Sequence, residues 1–120
     1  MTRLYSEIEL SEAARAISSA LHKSEKAFLR LKENSPQFRL TAENIRAFQI
    51  ALALIQREQG VPEAPAFTGE ELLQARAALS STISRVERIL PKFAAGSPQH
   101  TLAVRRIWAF ETAIQLMETR

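Results

Sequence analysis

Apolar residues recur at steps of three and four along the chain. Leu10, Ala13, Ile17, Leu21, Ser24, Phe28 and Leu31 fall on one helical stripe, with Ser24 its one polar interruption. Leu72, Ala75, Leu79, Ile83, Val86, Leu90 and Phe93 form the same stripe further on. After each stripe comes a short polar break and then a second helical pattern, predicted over Pro36–Gln59 and Pro98–Thr119. The returning helices carry two apolar rows. One is Leu40, Ile45, Phe48, Leu52 and Ile55, matched by Leu102, Ile107, Phe110, Ile114 and Met117. The other is Ala47, Ala51 and Leu54, matched by Ala109, Ala113 and Leu116. Together the rows are wider than one coiled-coil seam, so these helices must touch two neighbours, inside a bundle or across a dimer.

The pattern repeats because the sequence does. Residues 5–58 align without a gap on residues 67–120 at a shift of 62, with 16 of 54 pairs identical. A repeat of this length is one supersecondary unit used twice.

The punctuation is duplicated as well. Each unit opens with an aromatic (Tyr5, Phe67), a hydroxyl N-cap (Ser6, Thr68), a glutamate three residues on (Glu9, Glu71) and a leucine (Leu10, Leu72). That is a capping box with a hydrophobic staple. Each internal turn reads Asn34-Ser35-Pro36-Gln37 or Gly96-Ser97-Pro98-Gln99. Asn and Gly accept the left-handed backbone that stops a helix, Ser caps the next one, and Pro suits its first position. Gly60 ends the first unit, and residues 60–66 form a proline-stiffened linker. Pro91 should kink the third helix or end it a turn early.

The expected fold is therefore all-α. Two tandem antiparallel helical hairpins form one up-down-up-down four-helix bundle with an internal pseudo-twofold repeat, a single domain over residues 1–120.

Composition adds limits rather than a function. The chain has 120 residues, no Cys, three Gly and a net charge of +3. Without Cys there is no disulfide framework or thiolate chemistry, consistent with a cytoplasmic setting. No apolar run approaches the ~20 residues that span a bilayer, and Met1–Glu7 holds no long apolar segment of a leader. Three glycines at 60, 69 and 96 cannot build a phosphate-binding loop. His22 and His100 have no glutamate three residues before them, so the di-iron bundle pattern is missing and no metal or cofactor is expected.

Four sets of residues remain as candidates. Counting outward from each turn sets Glu87 opposite Arg106 and Glu25 opposite Asn44. Arg106 and Asn44 lie inside apolar arcs, so a Glu87–Arg106 ion pair and a Glu25–Asn44 hydrogen bond are expected, as register devices or as a polar pocket. Trp108 replaces Arg46 on the outer edge of a returning helix and is the interface candidate, with burial against the linker as its alternative. Lys23, Lys26 and Arg30 are repeated as Arg85, Arg88 and Lys92, a basic face that is either simply solvated or anion-binding.

The string Lys92–Leu102 followed by Arg106-Ile107-Trp108-Ala109-Phe110 is similar to segments of small uncharacterised bacterial helical proteins. The similarity covers about one turn and returning helix and implies no activity. The reading is a non-enzymatic interaction or regulatory module whose partner is another protein or a second copy through the second and fourth helices. Nucleic-acid or phosphate-ligand binding through the basic face is the alternative.

Overall fold

The structure is a computed structural model that describes residues 4–62 and 65–118. Among them it is all-helical: α1 (Glu7–Phe28), α2 (Pro36–Glu58), α3 (Gly69–Ile89), a single 3-10 turn at Leu90–Lys92, and α4 (Pro98–Glu118). The expected last residue of the fourth helix, Thr119, and linker residues Glu63 and Ala64 lie outside the described residues. No helix is long and apolar enough to cross a membrane among the described residues.

Both capping boxes form. Ser6 Oγ accepts from the Glu9 N–H at 3.1 Å while Glu9 accepts from the Ser6 N–H at 2.9 Å. Thr68 and Glu71 repeat the exchange at 3.1 and 3.0 Å. Each such cap satisfies two donors that a helix start would otherwise orphan. Ser35 caps α2 through the Phe38 N–H, and Ser97 caps α4 through the His100 N–H.

The left-handed positions are where the turn residues require them. Asn34 has φ 65° and Gly96 φ 81°. At the end of α2, Gly60 has φ 88°; the Gly60 N–H reaches the Arg57 carbonyl and the Val61 N–H reaches Gln56. That pair of bonds is a Schellman motif.

The first stripes run further than the helices do. α1 stops at Phe28, and the chain continues with i→i+3 bonds from Arg30 to Ala27 and Leu31 to Phe28. α3 stops at Ile89, so Leu31 and Phe93 lie beyond the helices they were expected to extend. Of the two outcomes expected at Pro91 the structure has the early end: α3 stops at Ile89 and Pro91 lies in the 3-10 turn, with no kink in a continuing helix. Its counterpart in the repeat is Leu29, which is 85% exposed, and α1 ends there without any proline. In both hairpins tighter i→i+3 bonding takes over before the turn and satisfies carbonyls that a helix end would otherwise orphan.

The core is concentrated rather than spread along the helices. It takes Leu10, Ala13 and Ile17 from α1 and Leu79 and Ile83 from α3. From α2 come Phe48, Ile50, Leu54 and Ile55, and from α4 Phe110, Leu116 and Met117. These are the early parts of α1 and α3 and the late parts of α2 and α4. The turn-proximal segments reach past this core. Leu40 and Leu102, expected inside, are 43% and 44% exposed, while Ile50, on neither expected row, is 1% exposed. The outline is accordingly flat, 44 × 37 × 20 Å, with a Cα radius of gyration of 14.6 Å. A maximally compact chain of this length would have about 13.6 Å.

Helices α2 and α4 occupy the middle. Each touches α1, α3 and the other, whereas α1 and α3 do not touch. Their wide apolar arcs are thus met within one chain.

Candidate functional site

This arrangement creates two seams between the helix pairs, α4 against α1 and α2 against α3. Their residues correspond one to one under the 62-residue shift, so the seams can be compared position by position.

In the α4–α1 seam the Arg106 guanidinium donates across to Ser19 Oγ at 3.4 Å. Its Nε is buried and has no hydrogen-bond partner among the described residues. An unmet buried donor costs about 1–3 kcal/mol. Burial lowers the Arg106 pKa from its ordinary value, because the charged form loses hydration. Trp108 packs half-buried against the core beside it. Tyr5 also reaches α4, where its hydroxyl donates to Gln115 Oε1; desolvation raises its pKa.

The α2–α3 seam is open. A cavity of about 600 Å³ lies along it, its apolar lining made by Leu40, Ala47, Ile50, Ala75, Ala77 and Ala78. Its polar lining is Glu43, Asn44, Arg46, Glu71, Gln74 and Ser81. Asn44 and Ser81 are the counterparts of Arg106 and Ser19. The shorter amide leaves unspanned the gap that the guanidinium spans on the other side. Ala77 stands where the other seam has Arg15, and Glu43 where it has Arg105.

One end of the open seam is held by Arg46. Its guanidinium donates to Glu71 Oε2 at 2.7 Å and lies 5.7 Å from the centroid of the Phe67 ring. Glu71 therefore serves both its own capping box and an ion pair to α2. Its pKa is lowered from 4.5, first by the Thr68 backbone N–H and then by Arg46, since both favour the carboxylate. The pair is solvent-exposed, with 54% and 35% of the two side chains accessible, so solvent screening leaves it little weight in stability.

The expected polar pairs within each helix pair are not formed. Glu87 and Glu25 are both exposed. Arg106 bonds to Ser19 instead of Glu87, and Asn44 lines the α2–α3 cavity instead of meeting Glu25. Counting from the turn gives the level of a residue along its helix but not which neighbour it faces. Asn44 and Arg106 occupy the sector of the middle helices that faces the other pair. As for the interface candidates, Arg46 borders the cavity, while Trp108 is half-buried against the core.

Lys23, Lys26, Arg30, Arg85, Arg88 and Lys92 are all exposed. They sit on or just after α1 and α3, which do not touch, so they form two separate basic faces rather than one stripe. His22 is exposed and His100 half-buried, and among the described residues no three His, Cys, Asp or Glu side chains converge as metal ligands do.

Sequence reasoning missed the Arg46–Glu71 pair and the cavity. The signal was present in the non-identical pairs Asn44/Arg106, Ala77/Arg15 and Glu43/Arg105, which change size or charge between small-residue rows that are conserved between the halves. Compared with family models, with curated proteins and with solved structures, the chain matches none.

Proposed function

We propose that this chain is a small non-enzymatic interaction module that docks a protein partner in the α2–α3 groove. Its scaffold is an up-down-up-down bundle of two tandem hairpins with a pseudo-twofold axis. Several contacts support that topology. Phe28 stacks on Phe38 across the first turn at 4.4 Å. Tyr5 meets Gln115 while Ser19 meets Arg106, so numbers rise on α1 as they fall on α4. Phe48 and Phe110, counterparts in the repeat, stack on each other as residues at a twofold axis do.

One observation carries the functional reading: the α2–α3 seam holds a cavity of about 600 Å³ lined by Asn44 and Ser81, the counterparts of the Arg106 and Ser19 that bridge the other seam. Its volume is in the range of known ligand sites, and its lining combines apolar with polar side chains. Because the middle helices meet their neighbours within one chain, self-association is not needed to cover them. A cytoplasmic setting suits a chain without cysteine.

The test is capture of partners from a lysate with the wild-type chain, an Ala77→Trp variant that fills the groove, and a Lys23→Glu/Arg85→Glu variant. A partner retained by the charge variant and lost by Ala77→Trp, with helicity unchanged, supports the groove. The reverse pattern supports the second reading, phosphate or nucleic-acid contact through the exposed basic faces, and steep salt dependence would accompany it.

A further inference from the structure

The contents of one seam identify what the other is shaped to receive. In the α4–α1 seam, a guanidinium projected from a helix lies against Ser19. In the α2–α3 seam the matching hydroxyl, Ser81, and the amide of Asn44 make no hydrogen bond to described residues, and both line the cavity. The charge of the rim differs in the same sense. Glu43 replaces Arg105, and with Glu71 it gives two carboxylates against the single guanidinium of Arg46, which Glu71 already holds. On a chain of net charge +3, this is a locally acidic groove.

Building on the docking function proposed above, we infer that the α2–α3 groove takes an arginine side chain presented by the partner protein, in the place that Arg106 fills on the opposite side. A planar guanidinium offers five donors. The Ser81 hydroxyl, the Asn44 amide oxygen and the Glu43 carboxylate are acceptors around the gap, and the alanines of its lining suit the weakly hydrated face of the guanidinium. Free arginine would leave much of this cavity of about 600 Å³ wet. An arginine flanked by apolar residues would cover Leu40 and the alanines as well, which favours a peptide segment.

The probe is the pentapeptide acetyl-Ala-Leu-Arg-Ala-Leu-amide, compared with the same peptide carrying neutral citrulline, each titrated into the full chain while backbone amide NMR shifts are followed. The arginine peptide is expected to shift Asn44, Gln74, Ala78 and Ser81, and the citrulline peptide to bind at least tenfold more weakly. Asn44→Arg supplies the groove with its own guanidinium and should abolish the response. Should that variant not fold, Glu43→Arg, at an exposed position, should weaken binding at least fivefold. Equal binding of the two peptides in the groove would overturn the guanidinium assignment while leaving the groove as the docking surface. No response, or shifts confined to the basic faces of α1 and α3, would also overturn the assignment. Failure of the docking reading itself is recognised separately, by a captured partner that Ala77→Trp does not release.

Discussion

The rings of Phe48 and Phe110 stack nearly parallel, with centroids 5.1 Å apart and planes 9° from each other. Both are almost fully buried, at 4% and 1% exposure, and they join the two middle helices. Phe110→Ala should cost about 3–5 kcal/mol, as truncation of a buried aromatic does. Phe48→Ala should cost a similar amount, and the double variant less than the sum, because the partners share one contact. Urea unfolding of the three variants checks this. Strict additivity would mean that the rings do not support each other.

Arg106 and Glu87 should respond oppositely to expectation from charge alone. Arg106→Met removes a guanidinium whose Nε is unsatisfied while keeping much of its packing, so stability should be unchanged or rise by about 1 kcal/mol. Glu87→Ala, at an exposed site, should stay within about 0.5 kcal/mol of wild type. A large loss in either variant, read from thermal melts, would restore an ion pair between them.

Glu71 ties the α3 cap to Arg46, and its folded pKa is lowered. The stabilisation is therefore complete above the unfolded carboxylate pKa and is lost as pH falls through the lower folded value. Glu71→Gln keeps a capping acceptor but cannot ionise. Its melting temperature should lie below wild type at pH 7, and the gap should close on acidification below about pH 4. A gap that persists unchanged at pH 2.5 would contradict the origin assigned here.

Gly96 and Asn34 hold the same left-handed turn position, at φ 81° and 65°. Gly96→Ala should destabilise by about 1–2 kcal/mol. Asn34→Gly should be neutral or slightly stabilising, since it relieves the same backbone. Chemical denaturation separates the two, and equal effects would show that the turn backbone is not the determinant.

Much of this architecture was legible in the sequence because it depends on local rules. Ser6, Thr68, Ser35 and Ser97 cap helices through neighbours three residues away, and Asn34, Gly60 and Gly96 take conformations that only a few residue types accept. The spacing of Leu10, Ala13 and Ile17 likewise specifies a buried stripe. What depended on helix rotation was not legible. Ile50 proved buried and Leu40 exposed, because three neighbours surround α2 and periodicity cannot say which sector each covers. For the same reason spacing from the turn pairs Asn44 and Arg106 with the wrong neighbours. The Arg46–Glu71 pair joins residues 25 apart across two units, and no local pattern encodes it.

Amide hydrogen exchange of a captured complex is the most direct test of the groove. The chain should gain protection, relative to its free form, in peptides covering residues 40–50 and 71–81 together. Protection confined to residues 23–30 and 85–92, with both groove segments exchanging as in the free chain, would contradict docking between α2 and α3.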